Sequence, residues 1–268
     1  IIDVHLHAYP ADGNGPPPSS VCVGASANLR YDPETPWPVF LAGISKTPPC
    51  EDPVWGPVSD EEVRDQTLAA LQKFNVRGVL SGTAEQVEAW YALAPKRIIK
   101  GRGLNIARDD MTPESIAADF KRGKLEVLAE VTNQYSGIMA DDPQFAGYWE
   151  IAAQNDIPVG IHVGVGPPGS PLLYPKFKVQ SPLRLEPVLS RHPSLRVYLM
   201  HAGYPFTDDL KAMLLAFPQL YVGTGVLQIA VPRAEYHAFL EEIVRAGFID
   251  RIMFGSDQMN WPALIEEG

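Results

Sequence analysis

The 268-residue sequence is poor in positive charge, in cysteine and in long apolar runs. Lysine and arginine number 22 against 32 aspartate and glutamate residues, and the formal charge of −10 argues against a nucleic-acid partner. No apolar run approaches the ~20 residues that a membrane-spanning helix requires, so we expect no membrane partner. The expected partner is a small-molecule substrate, with a homodimer as the alternative to a monomer.

Both ends of the chain also lack expected features. The sequence begins at Ile1, inside an apparent strand, with neither an initiator methionine nor a visible signal peptide. It stops at Gly268, just after the last strand signal, where a closing helix is expected. We therefore expect a fragment that lacks a leader or a final helix.

The two cysteines, Cys22 and Cys50, fall in one proline-rich segment. Their spacing matches no metal motif such as C-x-x-C. We expect two free thiols and a cytoplasmic protein. The alternative is a disulfide that staples the segment, which would indicate an exported or periplasmic protein.

Apolar residues make up 46% of the sequence and charged residues 20%, which is enough to bury a sizeable core and excludes general disorder. The proline-rich segment differs, because residues 8–58 contain eleven of the 26 prolines. That composition predicts an irregular loop without a long helix or a central strand. Long loops are usually lids or binding loops, so we expect this one to cover the site.

From Ser59, the predicted cap of the first helix, strand and helix patterns alternate along the chain. Strand segments such as IPVGIHV, LRVYLMH and RIMFGSD are almost continuously apolar, which is typical of a parallel sheet covered on both faces. With the first strand at residues 1–7, the pattern predicts eight strands and seven helices. We therefore predict one α/β domain over residues 1–268, a distorted TIM-like (β/α)8 barrel with a truncated C-terminal end. A doubly wound sheet would need a G-x-G-x-x-G loop after the first strand, which is missing.

Polar residues mark the carboxyl ends of the predicted strands, where the active sites of barrels lie. His5 and His7 end the first strand, and a spacing of two places both imidazoles on one face. His162 ends the fifth strand, His201 the sixth and Asp257 the eighth. Converging imidazoles suit zinc or another divalent ion such as manganese. The alternative, a hydrogen-bonded core histidine, would need a separate explanation for each strand end.

Two acids complete the predicted metal site. Asp257 can ligate an ion and accept a proton from water, and its alternative is a turn or helix-cap residue. Glu130 lies in the apolar run VLAEV of the fourth strand, where an unpaired acid is costly. We predict that Glu130 is a metal ligand, a bridge between two ions or a structural hydrogen-bond acceptor.

Side chains that follow the strand ends are candidates for binding a substrate. Gln134 and Tyr135 follow the fourth strand, and Gln258 and Trp261 follow the eighth. Arg184 follows the stretch GVGPPGSP after the fifth strand. That stretch lacks the Lys-Ser/Thr pair of a phosphate-binding loop, so we expect tight turns there.

Four segments form a recognisable set: DVHLH in the first strand, IPVGIHVG in the fifth, LRVYLMHAGYP in the sixth and RIMFGSDQMNWP in the eighth. Together they resemble the amidohydrolase superfamily, and in particular the branch that includes aminocarboxymuconate-semialdehyde decarboxylase and several lactonases. The resemblance implies a distorted TIM barrel with one or two divalent ions, often zinc. It implies metal ligation by His5, His7 and His162. It also makes Asp257 a ligand and proton acceptor, and His201 a ligand or a catalytic group beside the ion.

One departure from the superfamily pattern leaves the number of ions open. Many members with two ions carry a modified lysine on the fourth strand, whereas Lys124 precedes that strand here. Glu130 is similar instead to the fourth-strand glutamate of TatD-like deoxyribonucleases. Those enzymes usually end the eighth strand in a Glu-Thr-Asp pattern, while this chain has GSD followed by Trp261 and a proline.

The sequence therefore predicts a metal-dependent hydrolase of the amidohydrolase type, which activates water on a divalent ion and cleaves a small ester, lactone or amide. Asp257 and His201 are its predicted catalytic residues. A metal-dependent decarboxylase of a small unsaturated or aromatic carboxylic acid is the first alternative, because the resembling branch contains both chemistries. A TatD-like nuclease is the second alternative, and a non-catalytic ligand-binding barrel is the third.

Overall fold

The computed structural model of the protein describes residues 1–24 and 29–268. Eight parallel strands form one sheet in which each strand pairs with the next along the chain. In chain order, these are β1 (Ile2–His7), β4 (Arg77–Ser81), β5 (Ile98–Leu104), β6 (Val127–Val131), β7 (Val159–His162), β8 (Val197–Met200), β9 (Leu220–Gly223) and β10 (Ile252–Met253). Two short strands, β2 (Ser20–Val21) and β3 (Val54–Trp55), form a separate antiparallel pair.

Helices connect the strands along the chain. They are α1 (Trp37–Lys46), α2 (Asp60–Lys73), α3 (Ala84–Leu93), α4 (Pro113–Lys121), α5 (Ala146–Gln154), α6 (Ser170–Leu173), α7 (Glu186–Arg191), α8 (Thr207–Ala216), α9 (Leu227–Ala230), α10 (Arg233–Arg245) and α11 (Leu264–Glu267). Ser59 caps α2 as predicted, since its side chain accepts a hydrogen bond from Glu62 N. The predicted TIM-like (β/α)8 barrel is confirmed.

Two layers of apolar side chains explain why the strands read as continuously apolar. On β8, Val197 and Leu199 pack in the large cluster under the helices, while Tyr198 and Met200 face the opposite way. The inner cluster also takes Val4, Val79, Val127 and Ala129 from β1, β4 and β6. Gly160 has no side chain because a Cβ there would overlap the Tyr198 ring. The barrel interior below the strand ends is therefore a packed core.

The proline-rich segment contains more regular structure than its composition predicts. Residues 25–28 of the predicted loop 8–58 lie outside the described residues, but the described part includes β2, β3 and the ten-residue helix α1. Pro36 caps α1 and Pro38 lies in its first turn, where a proline costs no helical hydrogen bond. The prolines therefore start this helix instead of preventing it.

Cys22 and Cys50 form a disulfide whose Cα atoms are 5.9 Å apart. The expectation of two free thiols is therefore wrong. The bond connects the chain next to β2 with the chain that leads into β3. Among the described residues, the structure contains no helix that is long and apolar enough to cross a membrane.

Replacing both cysteines with serine should lower the free energy of unfolding by roughly 3–4 kcal/mol, because the bond closes a loop of 28 residues in sequence separation. Urea unfolding of the oxidised protein and of the Cys22→Ser/Cys50→Ser variant measures the difference. Equal midpoints and equal slopes for the two proteins would show that the disulfide contributes nothing to folding stability.

Candidate active site

The structure brings all six predicted metal ligands together at the carboxyl end of the barrel, and all six are buried. His5 and His7 come from β1, and His162 ends β7. His201 opens a short 3₁₀ turn immediately after β8. The remaining two predicted ligands are the acids, Glu130 on β6 and Asp257 shortly after β10.

One half of the cluster joins β1 to the chain after β10. His5 Nε2 and His7 Nε2 are 3.0 Å apart, so both nitrogens face the same point. Asp257 Oδ1 lies 3.0 Å from His7 Nε2 and 3.5 Å from His5 Nε2. A carboxylate oxygen and two imidazole nitrogens therefore converge from two separate strands.

The other half of the cluster is built around Glu130. Its Oε1 atom lies 2.7 Å from His162 Nδ1 and 3.3 Å from His201 Nε2, and those two nitrogens are 2.9 Å apart. Its Oε2 atom lies 3.6 Å from His5 Nε2. Glu130 therefore bridges the two halves of the site.

The donor set fits a divalent metal ion. Three groups of ligand atoms each lie within 4.8 Å of one another: His5, His201 and Asp257; His5, His7 and Glu130; and Glu130, His162 and His201. Within the described part of the chain, the buried Asp257 Oδ1 atom has no hydrogen-bond partner of suitable geometry. Imidazole nitrogens with carboxylate oxygens suit zinc and similar borderline ions.

Irregular backbone at the strand ends aims these side chains inward. His201 has φ of +61° and Asp257 has φ of +52°, in the left-handed region that residues other than glycine rarely adopt. Glu130 lies where the pairing of β6 with β7 shifts register. Such conformations persist only where the surrounding structure enforces them, and they concentrate at functional sites.

A glycine next to β9 leaves space for His5. A Cβ on Gly225 would lie 2.6 Å from His5 Nδ1. The carbonyl oxygen of Gly225 also lies 2.9 Å from His201 Nδ1, so that nitrogen donates and carries the proton. In the neutral form of the ring, Nε2 of His201 is then the lone-pair nitrogen that faces the cluster.

Both acids are ionised in spite of their burial. Burial alone would raise the pKa of Glu130, but His5, His162 and His201 hold it well below the usual range. Burial would likewise raise the pKa of Asp257, and the surrounding histidines lower it to about 2. The two carboxylates are therefore negatively charged, and this negative charge can balance the positive charge of a bound metal ion.

The neighbouring charged groups shift the pKa values of the histidines in opposite directions. Burial disfavours the charged form of His7 and of His201, but Asp257 and Glu130 hold the pKa of each above its ordinary value. Burial and the neighbouring His201 lower the pKa of His162. His162 is therefore held in the neutral, metal-binding form.

Of the predicted substrate-binding residues, Tyr135 lies at the cluster. Its hydroxyl is 3.4 Å from His162 Nε2 and its ring packs edge-on against that imidazole. Arg184 lies on the surface with its guanidinium 3.0 Å from Asp141, and the described contacts do not link it to the six ligands. The glycine-rich loop before it does not direct Arg184 into the mouth of the barrel, which is the opening at the carboxyl ends of the strands.

The other three predicted substrate-binding residues are buried and already have backbone partners. Gln134 donates to Gly164 O, and Trp261 Nε1 donates to Ser19 O. Gln258 is fully buried, and both ends of its amide bind the backbone of His7. Gln258 and Trp261 therefore use these polar groups in backbone hydrogen bonds, whereas Gln134 Oε1 has no hydrogen-bond partner among the described residues. A substrate contact by any of the three stays a prediction.

Two tyrosines at the mouth were missed from the sequence. The Tyr9 ring lies 4.7 Å from the His7 ring, and the Tyr174 ring lies 4.8 Å from the Tyr135 ring. Tyr9 stands two positions after His7, so the alternation of the strand was a signal that could have identified it. Tyr174 lies in the loop after β7, and no pattern in the sequence indicated that it turns inward.

Comparison with known families and structures agrees with the fold. A family model described as amidohydrolase matches residues 2–266. No curated protein matches the chain.

Solved structures with the same fold are distant in sequence. An uncharacterised TIM-barrel protein from Bordetella bronchiseptica has a TM-score of 0.62 and 17% identity, covering 100% of this chain and 88% of that one. A probable 2-pyrone-4,6-dicarboxylic acid hydrolase from Acinetobacter baumannii has a TM-score of 0.60 and 13% identity, covering 99% and 88%. A 2,6-dihydroxybenzoate decarboxylase from Rhizobium has a TM-score of 0.53 and 14% identity, covering 100% and 92%.

Proposed function

The chain belongs to the amidohydrolase family, and we propose that it is a metal-dependent hydrolase that cleaves a small ester, lactone or amide. The observation that carries this proposal is the cluster of buried imidazoles and carboxylates, in which Asp257 Oδ1 lies 3.0 Å from His7 Nε2 and 3.5 Å from His5 Nε2. Hydrolysis begins with removal of a proton from water, and an ionised carboxylate beside the bound water can accept that proton.

His5, His7, Glu130, His162, His201 and Asp257 are the residues that would hold the metal, with zinc as the first candidate. When bound, a divalent ion supplies Lewis acidity, which polarises a carbonyl group and lowers the pKa of water. The chain itself holds the acceptor: Asp257 takes the proton from the attacking water and returns it to the leaving group.

The remaining side chains of the mouth orient the substrate and exclude water. Tyr135 and Tyr9 contact the rings of His162 and His7, and their hydroxyl groups can donate hydrogen bonds to a carbonyl or alkoxide oxygen. In its neutral form, His201 presents Nε2 to the cluster as a lone-pair nitrogen, because Nδ1 of the same ring donates to Gly225 O. His201 therefore serves either as a ligand or as an acceptor beside Asp257.

A metal-dependent decarboxylase is the second candidate. Its support is a shared fold with the Rhizobium protein named as a 2,6-dihydroxybenzoate decarboxylase. Decarboxylation must deliver a proton to carbon after carbon dioxide leaves, whereas hydrolysis must first take a proton from water. Asp257 can act as the acid–base group of either reaction, so the products of turnover distinguish the two.

The disulfide bears on where the protein acts. We infer from the Cys22–Cys50 bond that the chain folds in an oxidising compartment, since structural disulfides are rare in the reducing cytoplasm. This replaces the cytoplasmic location expected from two free thiols.

One experiment tests the proposed reaction class. The purified protein should contain about one or two divalent ions per chain by elemental analysis, and a chelator should remove both the ions and the activity. Assays of small esters, lactones and amides in ¹⁸O-labelled water should place the label in the acid product, without release of carbon dioxide.

The same assay separates hydrolysis from decarboxylation. Full activity in a protein that contains no stoichiometric metal would rule out the metal-dependent mechanism. Release of carbon dioxide from an aromatic or unsaturated acid, with no turnover of esters, lactones or amides, would identify the decarboxylase instead.

A further inference from the structure

The barrel seam is the junction between β1 and the chain that follows β10. β10 is two residues long and pairs with β9. Backbone hydrogen bonds cross the seam from Val4 N to Phe254 O (2.9 Å) and from Asp257 N to His5 O (2.8 Å). Because Asp257 then adopts φ of +52°, the chain leaves the extended conformation before it can pair with the last residue of β1.

At this point a side chain replaces the missing strand partner. Gln258 Oε1 accepts a hydrogen bond from His7 N (3.0 Å), and Gln258 Nε2 donates one to His7 O (2.6 Å). The two bonds satisfy both backbone groups of one residue, which a neighbouring strand would otherwise do. Gln258 is 0% exposed, so water does not compete for either bond.

A second side chain secures the other histidine of β1. Asp3 Oδ1 accepts hydrogen bonds from His5 N (2.9 Å) and from Ser256 N (3.1 Å). Both histidines are therefore tied by side chains to the segment that carries Asp257. Backbone pairing alone does not set their positions.

We propose that Gln258 is a positioning residue: its amide acts as the strand partner of His7 and sets the spacing between His7 and Asp257. The inference rests on the metal site of the proposed function. Gln258 and Asp257 are neighbours in sequence, so the amide that grips the His7 backbone also fixes the carboxylate 3.0 Å from His7 Nε2. Loosening this grip alters the metal site without removing a ligand.

The chemistry of the position accounts for the residue found there. His7 presents a donor N–H and an acceptor carbonyl, and a primary amide carries one acceptor and one donor at matching ends. Methionine has a similar length but makes neither bond. Asparagine keeps the amide but is one methylene shorter, so it cannot reach both backbone atoms of His7 in the same geometry.

Gln228 provides a matched control on the other side of the seam. It is buried, and its Nε2 atom donates to Ser256 O (2.9 Å) and to Gly255 O (3.3 Å). In the described part of the chain, these hydrogen bonds do not involve the backbone of His5 or His7. Gln228→Met therefore loosens the seam without releasing a histidine of β1.

The test compares wild type, Gln258→Met, Gln258→Asn and Gln228→Met as full-length proteins loaded with Zn²⁺ or Co²⁺. Zinc affinity is measured by competition with a chromophoric chelator, and ligand geometry by the visible absorption of the cobalt forms. We expect Gln258→Met to lower zinc affinity by about 10–100-fold and to change the cobalt spectrum. Gln258→Asn should show a smaller loss, and Gln228→Met should bind zinc like wild type.

Each outcome has a defined meaning. Wild-type zinc affinity and an unchanged cobalt spectrum in Gln258→Met overturn the inference alone, as does an equal loss of affinity in Gln228→Met. If Gln258→Met does not fold, wild-type binding by Gln258→Asn overturns it. A wild-type protein that binds no stoichiometric zinc or cobalt overturns the proposed metal site together with this inference.

Discussion

Replacing Asp257 with asparagine should lower kcat by roughly 10²–10⁴-fold, the usual contribution of a general acid–base group. The substitution keeps the shape of the side chain but removes the charge of a carboxylate whose pKa is held at about 2. Its Oδ1 atom lies 3.0 Å from His7 Nε2, within the cluster of predicted metal ligands. An amide in its place cannot accept a proton, so the first step of hydrolysis loses its base.

The loss must be expressed per bound metal ion, because Asp257 is also a candidate ligand. Activity is therefore normalised to the metal content of each preparation. Asp141→Asn is the control, since that carboxylate pairs with Arg184 on the surface and should leave kcat unchanged. A fully loaded Asp257→Asn variant that turns over within tenfold of wild type would remove Asp257 from the role of base.

Removing α1 should abolish most turnover while leaving the metal in place. Trp37 at the start of α1 packs against Gly169, where a Cβ would overlap its ring. Gly169 belongs to the loop that follows His162 and continues to Tyr174 and Phe177, whose rings contact Tyr135. Without α1 this wall of the mouth is free to move, and a displacement of about 1 Å can cost on the order of 10²-fold in rate.

The structure shows where to make the deletion. Cys22 and Cys50 have Cα atoms 5.9 Å apart, a distance that one residue can span. A single glycine can therefore replace residues 23–49 in a Cys22→Ser/Cys50→Ser background, which leaves β2, β3 and the Ser19 contact of Trp261 intact.

The full-length Cys22→Ser/Cys50→Ser variant is the control for loss of the disulfide. We expect kcat/KM to fall only in the deletion variant, with the metal content of both proteins unchanged. A deletion variant that folds and keeps its full turnover and substrate preference would show that the segment is a surface feature and not a lid.

The predicted metal ligands show which site residues the strand pattern of the sequence can identify. His5, His7 and His162 lie on strands, whose period of two fixes the direction of each side chain relative to its neighbours. Parallel strands bring their carboxyl ends to one edge of the sheet, so residues more than a hundred positions apart were predicted to meet. His201 and Asp257 came from the same argument, since each was predicted to end a strand.

The predicted substrate-binding residues show that the strand pattern does not predict the direction of side chains beyond the end of a strand. Beyond a strand end, the direction of a side chain depends on the turn that follows, and turns have no period. The left-handed backbone at Asp257 directs Gln258 onto the His7 backbone, where the sequence position alone had suggested a substrate contact. Tyr174 contacts Tyr135 because of the conformation of the loop after β7, which no local sequence pattern predicts.

The sequence by itself determined the barrel and the residues at its strand ends, because alternating apolar patterns and polar strand ends are local and periodic. Only the tertiary structure decided that Cys22 bonds Cys50, that α1 forms within the proline-rich segment, and that the Gln258 amide completes the seam. Each of these depends on which distant chain segments become neighbours in space. That information arises only when the sheet closes and brings residue 7 next to residue 258.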